Sequence, residues 1–436
     1  MRAAVFWLTL LTLLGLPPQS LRAARQSPAR FELAHEDVLL DEPIPIVVSG
    51  LTPAAVVTVR LRGGQNDVWA SSATFSADRD GRIDLTRMAP AKGSYKDVDA
   101  MGLFWSVERG GPSAAAPPSD EEGEDSPERW MLTAEVGGTV VARASVRRRA
   151  VAADVRVSPV RADGLVGTFY EPAGSGRHPV VLVLSGSGGG VPRAAGHAGG
   201  LASRGYAVLA LAYFGAEGLP RALSSIPLEY FGTAIRWLQR QPSVDPERIG
   251  VLGGSRGAEL ALLLGVAFPE LRTVVAYMPS NVVWRGCCDP SALVAWTAGG
   301  RPVAMMPGRG ARGNALDAER AEIQVEKIHG AILLISGKDD GVWDSAPMAE
   351  KIVARLKRNH FERPFESLTY EHAGHAIARP YASTMNLNGR RHPVSGRIMQ
   401  LGGTPAGTAK ASEDSWKKML AFVDRNLRGL DGSVAR

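Results

Sequence analysis

Residues 248–268 read RIGVLGGSRGAELALLLGVAF, and the fold of the chain is decided there. Ile249, Val251 and Leu252 form a short apolar run suited to a buried strand, while the segment from Ala258 to Phe268 is apolar over a length that suits a buried helix. Between them lies Gly253-Gly254-Ser255-Arg256-Gly257, a sharp turn. A serine hydroxyl is a poor nucleophile unless it is held exposed beside a base, and a tight strand-to-helix bend lifts it clear of a sheet. Glycine at 253 and 257 removes the side chains that would collide where strand and helix come closest. Arg256 begins the helix, so its backbone N–H points toward an oxyanion forming at Ser255.

Outward from this turn, apolar strands alternate with amphipathic helices. Strands are expected at 179–184, 207–212, 249–252, 273–277, 331–335 and 365–370, and helices at 196–204, 228–240, 258–268, 346–358 and 412–428. Alternation of this kind demands right-handed crossovers and a mainly parallel sheet covered on both faces, here over residues 151–430. Two long segments, 281–320 and 380–411, interrupt the pattern after strands, where they overhang the carboxyl edge of the sheet.

Residues 29–150 differ. Short β-branched runs at 44–48, 56–61, 68–75, 83–85, 130–136 and 139–146 are bounded by turn signals such as Ser49-Gly50 and Gly63-Gly64, which predicts an all-β sandwich domain ahead of the α/β domain. Inside it, 110–128 (GGPSAAAPPSDEEGEDSPE) is acidic and Pro/Ser-rich, and is expected to be a mobile insertion. Residues 1–24 carry Arg2, an apolar run and Pro17-Pro18; this pattern suits a secretory signal and predicts export, with a cytoplasmic location as the alternative if the start is misassigned. Fourteen apolar residues are too few to span a bilayer, so no stable membrane span is expected in the mature chain.

Composition narrows the functional classes. The net charge of +6 is modest for 436 residues, and the basic cluster at Arg143 and Arg147-Arg148-Arg149 falls in an apparent linker without interleaved aromatics, which argues against nucleic acid as a partner. The only cysteines, Cys287 and Cys288, are adjacent and cannot staple distant segments. They read as two small buried residues in a loop, ahead of free thiols or a vicinal bridge.

Nucleophilic catalysis by Ser255 requires a base and an orienting acid, in the chain order Ser, Asp, His for this architecture. After the strand at 331–335 comes Ser336-Gly337-Lys338-Asp339-Asp340-Gly341, and after 365–370 comes Glu371-His372-Ala373-Gly374-His375. His375 is the expected base, because Ala373-Gly374 permits a close approach, and Asp340 is preferred to Asp339. The second oxyanion donor is expected from Ser185-Gly186-Ser187-Gly188-Gly189-Gly190, with the backbone N–H of Ser187 or Gly188 joining that of Arg256. His372 and His375 have H-x-x-H spacing but lack a third ligand, and the glycine run lacks a P-loop lysine, so neither a metal nor a nucleotide cofactor is expected.

Several further blocks lie collinear with these. They include Leu40-Asp41-Glu42-Pro43, Met101-Gly102-Leu103-Phe104-Trp105, Gly188-Gly189-Gly190, Ala210-Leu211-Ala212-Tyr213, Leu228-Glu229-Tyr230-Phe231, Gly257-Ala258-Glu259, Gly337-Lys338-Asp339-Asp340 with Trp343, and Gly374-His375. Over nearly its full mature length the chain resembles the acyl-CoA thioesterase and bile acid-CoA:amino acid N-acyltransferase family. The resemblance implies an α/β-hydrolase fold behind a β-sandwich, a small-molecule acyl thioester or ester substrate, no cofactor, and a Ser255–Asp340–His375 triad. In that family the elbow carries serine in thioester hydrolases and cysteine in the amino-acid acyltransferase. Ser255 therefore points to hydrolysis of acyl-CoA, ahead of an exported carboxylester or amide hydrolase and of amino-acid transfer.

Overall fold

The apolar runs of the second half pair into one eight-stranded sheet. Its strands are β1 (Arg156–Ala162), β2 (Leu165–Glu171), β3 (His178–Leu184), β4 (Ala207–Ala212), β5 (Val244–Gly254), β6 (Leu271–Tyr277), β7 (Ala331–Gly337) and β8 (Phe365–Tyr370). Their order is β1-β2-β4-β3-β5-β6-β7-β8, with every pairing from β4 to β8 parallel. The computed structural model describes residues 28–64, 68–109, 127–191, 197–289, 291–308 and 314–429. The signal expected at 1–24 lies outside the described residues, as does almost all of the acidic insertion.

Strand side chains alternate between two apolar layers, as the pleat requires. Val180, Leu182, Leu209, Val251, Val274 and Leu334 face the helices Leu228–Gln239, Arg256–Ala267 and Ser345–Arg358. Val181, Val183, Val208, Leu252, Val275 and Leu333 face Ala198–Ala202 and the long helix Pro405–Val423. Burial on both faces is what makes these strands read as continuous apolar runs. This is an α/β-hydrolase fold.

Ahead of it stands an all-β sandwich. A three-stranded sheet (Arg30–Leu33, Ile46–Ser49, Ile83–Asp84) packs on a seven-stranded one built around Thr139–Arg149, Glu128–Val136, Val56–Gly63 and Trp69–Ser76. In Val56–Gly63 the alternation is direct: Val57, Val59 and Leu61 are fully buried, while Arg60 and Arg62 are exposed.

Three expectations need correction here. Arg143 and Arg147 to Arg149 are not in a linker but in the strand Thr139–Arg149, where Arg147–Arg149 pair in parallel with Asp37–Leu39. Arg148 turns inward, caps the Leu40 carbonyl and lies 4.9 Å over the Phe104 ring. The C-terminal helix starts at Pro405 instead of 412, because the Thr404 hydroxyl accepts from the Gly407 N–H at 3.0 Å and a proline follows at the first helical position. Cys287 and Cys288 are joined as a disulfide in place of two unlinked buried residues.

Candidate active site

Strand β5 delivers Ser255. The serine adopts φ 57° and ψ −120°, a strained backbone for a residue with a side chain, and is held there by its N–H donating to the Tyr277 carbonyl at 2.8 Å. Both elbow glycines are required sterically. A Cβ at Gly253 would stand 2.1 Å from the Gly257 carbonyl oxygen, and one at Gly257 would stand 2.5 Å from that of Ser185. The result is a partly exposed serine at the carboxyl end of the sheet.

Two loops from later strands meet it. His375 Nε2 lies 2.8 Å from Ser255 Oγ, and His375 Nδ1 lies 2.9 and 2.8 Å from the two carboxylate oxygens of Asp340. The Asp340 carboxylate is 1% exposed and the imidazole 6%, so their bond is shielded from competing water. Asp340 Oδ1 also accepts the N–H groups of Val342 and Trp343 at 2.9 and 3.1 Å. The Trp343 and His375 rings stand nearly perpendicular, with centroids 5.6 Å apart.

A strap from the last insertion clamps these loops together. The Leu401 carbonyl accepts from His375 N–H at 2.7 Å and from Gly341 N–H at 3.1 Å, and Asp340 bridges to Gly402. The fit excludes side chains, since a Cβ on Gly374 would stand 2.2 Å from the Gly402 carbonyl oxygen. The competing pair, Asp339 and His372, meets instead on the surface, 3.6 Å apart and 48% and 73% exposed.

The glycine loop after β3 closes the other side. A Cβ on Gly186 would stand 3.4 Å from Ser255 Cβ, so Ser187 and Gly188 begin one residue from the nucleophile. Gly189 N–H is taken by Gly186 O at 3.2 Å and Gly190 N–H by Phe214 O at 2.9 Å. Arg256 occupies the first position of its helix, where no carbonyl of that helix can reach its N–H. Its side chain turns away: the guanidinium donates to Trp284 O at 3.0 Å and pairs with Glu259 at 3.1 Å. Glu259 is fully buried and also accepts from Trp296 Nε1 at 2.7 Å. Burial pushes its carboxyl up to about 7, with Arg256 as the largest opposing influence. This acid under the elbow was legible as part of a motif but not as a buried ion pair.

The chain matches the family model "Acyl-CoA thioester hydrolase/BAAT N-terminal region" over residues 41–162 and "BAAT / Acyl-CoA thioester hydrolase C terminal" over 226–290 and 309–429. It is 32% identical over 402 residues to acyl-coenzyme A thioesterase 6 of Mus musculus, spanning 89% of this chain and 94% of that one. It is 30% identical over 406 residues to the peroxisomal succinyl-coenzyme A thioesterase of Mus musculus, with 89% and 94% covered. It is also 30% identical over 398 residues to acyl-coenzyme A thioesterase 2, mitochondrial, of the same species, with 89% and 87% covered. These names overturn the expectation of export, since the relatives that carry a compartment in their names are peroxisomal and mitochondrial. The export reading rested on a short apolar run with no A-x-A cleavage triplet, a pattern whose length alone does not specify secretion. Among the described residues no helix is long and apolar enough to cross a membrane. With both of its regions matched and relatives aligned over most of its length, the chain belongs to the acyl-CoA thioester hydrolase/BAAT family of enzymes.

Proposed function

We propose that this protein hydrolyses acyl-CoA thioesters through an acyl-enzyme on Ser255. The observation that carries the reading is the continuous chain Ser255 Oγ, His375 Nε2, His375 Nδ1, Asp340 carboxylate, each link between 2.8 and 2.9 Å. His375 Nε2 takes the proton of Ser255 as Oγ attacks the thioester carbonyl carbon. Asp340 holds the Nδ1–H tautomer and stabilises the imidazolium. Negative charge gathers on the carbonyl oxygen, where the N–H groups of Arg256 and of Ser187 or Gly188 are the proposed donors. The intermediate collapses with cleavage of the C–S bond, and His375 returns its proton to the departing CoA sulfur. A water then gives a proton to His375 and attacks the Ser255 ester; breaking the ester bond, with His375 returning that proton to Ser255 Oγ, releases the free acid and restores the serine hydroxyl. Nothing in this cycle consumes a metal or cofactor.

Serine at the elbow favours hydrolysis over transfer, because an oxygen ester on serine discharges readily to water. The names of the relatives support CoA as the leaving group. The reading is tested by thiol release from acyl-CoA beside oxygen esters of the same acyl chain, with and without added glycine or taurine. The expected result is faster turnover of the thioester, unchanged by the amines. Preference for the oxygen ester, or turnover that depends on the amine, overturns it.

A further inference from the structure

Three segments far apart in sequence converge on one imidazole that has no part in the triad. His392 sits in the hairpin Asn388–Arg391 and Ile398–Gln400, is 8% exposed, and places Nε2 2.9 Å from Ser187 Oγ in the glycine loop. From the third segment Cys288 Sγ packs 3.7 Å from the same nitrogen and 3.5 Å from the Ser187 carbonyl oxygen; as half of a disulfide it carries no proton to donate.

The tautomer of His392 follows from its other nitrogen. Nδ1 accepts the backbone N–H groups of Val394 and Ser395 at 3.2 and 3.1 Å, so it presents a lone pair. The ring proton of the neutral imidazole is then on Nε2, and Nε2–H donates to Ser187 Oγ. A hydroxyl that accepts at one lone pair keeps its own proton for another acceptor. Ser187 stands one residue from Gly186, whose absent Cβ faces Ser255 Cβ at 3.4 Å. The acceptor with which this arrangement is compatible is the carbonyl oxygen of an acyl group held on Ser255.

We infer that His392 is a positioning residue for the oxyanion loop, and that it holds the Ser187 hydroxyl as a proton donor to the developing oxyanion. This rests on the serine mechanism proposed above. On this reading His392 acts through Ser187, and the turn from Val394 to Ser395 fixes its ring.

Loss of one side-chain oxyanion donor typically lowers kcat by about 10²- to 10³-fold. Ser187→Ala is therefore expected to lower kcat about 10²-fold with KM changed by less than about twofold. His392→Ala is expected to lower kcat at least about tenfold, and the double variant to be no slower than Ser187→Ala alone, since both changes break one interaction. His392→Gln retains a nitrogen donor on a side chain of similar reach and is expected to recover most of the lost rate; if His392→Ala does not fold, the comparison of His392→Gln with Ser187→Ala carries the test. Multiplying losses in the double variant overturn the inference. So does an effect of His392 confined to KM, or wild-type kcat in Ser187→Ala. Ser255→Ala is assayed beside them: residual wild-type turnover there removes the serine mechanism itself, whereas an inactive Ser255→Ala with a fully active His392→Ala removes only the role of His392.

Discussion

The elbow around Ser255 and the loops that bring Asp340 and His375 to it are built by opposite means. The elbow is local: a strand, two glycines whose missing side chains leave room for the turn, and a helix that starts at the next residue. The acid and base loops come from β7 and β8 and are held by a strap at Leu401 and Gly402, contributed by a third segment. A nucleophile must be strained and exposed, which a short turn between two packed elements supplies. Its partners must be aligned to it within a fraction of an ångström, which takes contacts from several directions. Changes to the glycines that shape the first region should register mainly in stability, and changes in the second mainly in rate.

The largest contrast is between neighbouring aspartates. Asp340→Asn is expected to lower kcat about 10⁴-fold with an unaltered fold, because the amide favours the wrong His375 tautomer. Asp339→Asn is expected to change kcat by less than about twofold, since exposed pairs of this kind contribute little. Steady-state kinetics on both variants checks this, and equal losses would blur the assignment. Next comes Gly374→Ala, whose Cβ meets the Gly402 carbonyl oxygen at 2.2 Å. A shift of about 1 Å in the His375 loop is expected to cost about 10²-fold in kcat.

Gly253→Ala sharpens the comparison from the other side. Its Cβ meets the Gly257 carbonyl oxygen at 2.1 Å, and the elbow cannot yield without moving β5 or its helix. Destabilisation of about 1–3 kcal/mol is expected in denaturant titration. The smallest effect concerns Glu259, whose carboxyl is raised from 4.5 to about 7 chiefly by burial. The unfolded chain releases this proton at lower pH than the folded one, so stability contributed by the neutral acid is full below about 4.5 and is lost as pH rises through about 7. Glu259→Gln should flatten that part of the stability profile, and urea midpoints at pH 5 and pH 8 measure the change.

The same division decides what could be read from sequence. Strands β3 to β7 and the elbow were legible because burial on both faces writes continuous apolar runs and because a tight turn needs glycine. Strand β8, an edge strand with the sequence FESLTY and no fully buried residue, was legible only from its place in the strand–helix alternation. The antiparallel strands β1 and β2 were not expected: β1 lies at the sheet edge, and Arg156, Val157, Pro159 and Arg161 are exposed along it, so no sustained apolar run marks the strand. Arg148 looked like part of a linker because one inward arginine among three is invisible until Phe104 and Leu40 come together around it. Chain order pointed to the two loops, the spacing from Gly337 favoured Asp340 over Asp339, and the preceding Ala373-Gly374 favoured His375 over His372. The geometry brings the favoured pair to Ser255. His392 belonged to no motif, since its partners are distant in sequence and only the folded chain brings Ser187 to it.

The central claim, that Ser255 carries the acyl group, is tested most directly by mass spectrometry after acid quench of the enzyme during turnover of an acyl-CoA. Trypsin cuts after Arg248 and Arg256, so the peptide Ile249–Arg256 isolates Ser255 as its one hydroxyl. The account predicts that this peptide gains the mass of the acyl group and that the adduct is absent in Ser255→Ala. Rapid CoA release with this peptide unmodified, and undiminished in Ser255→Ala, would contradict it.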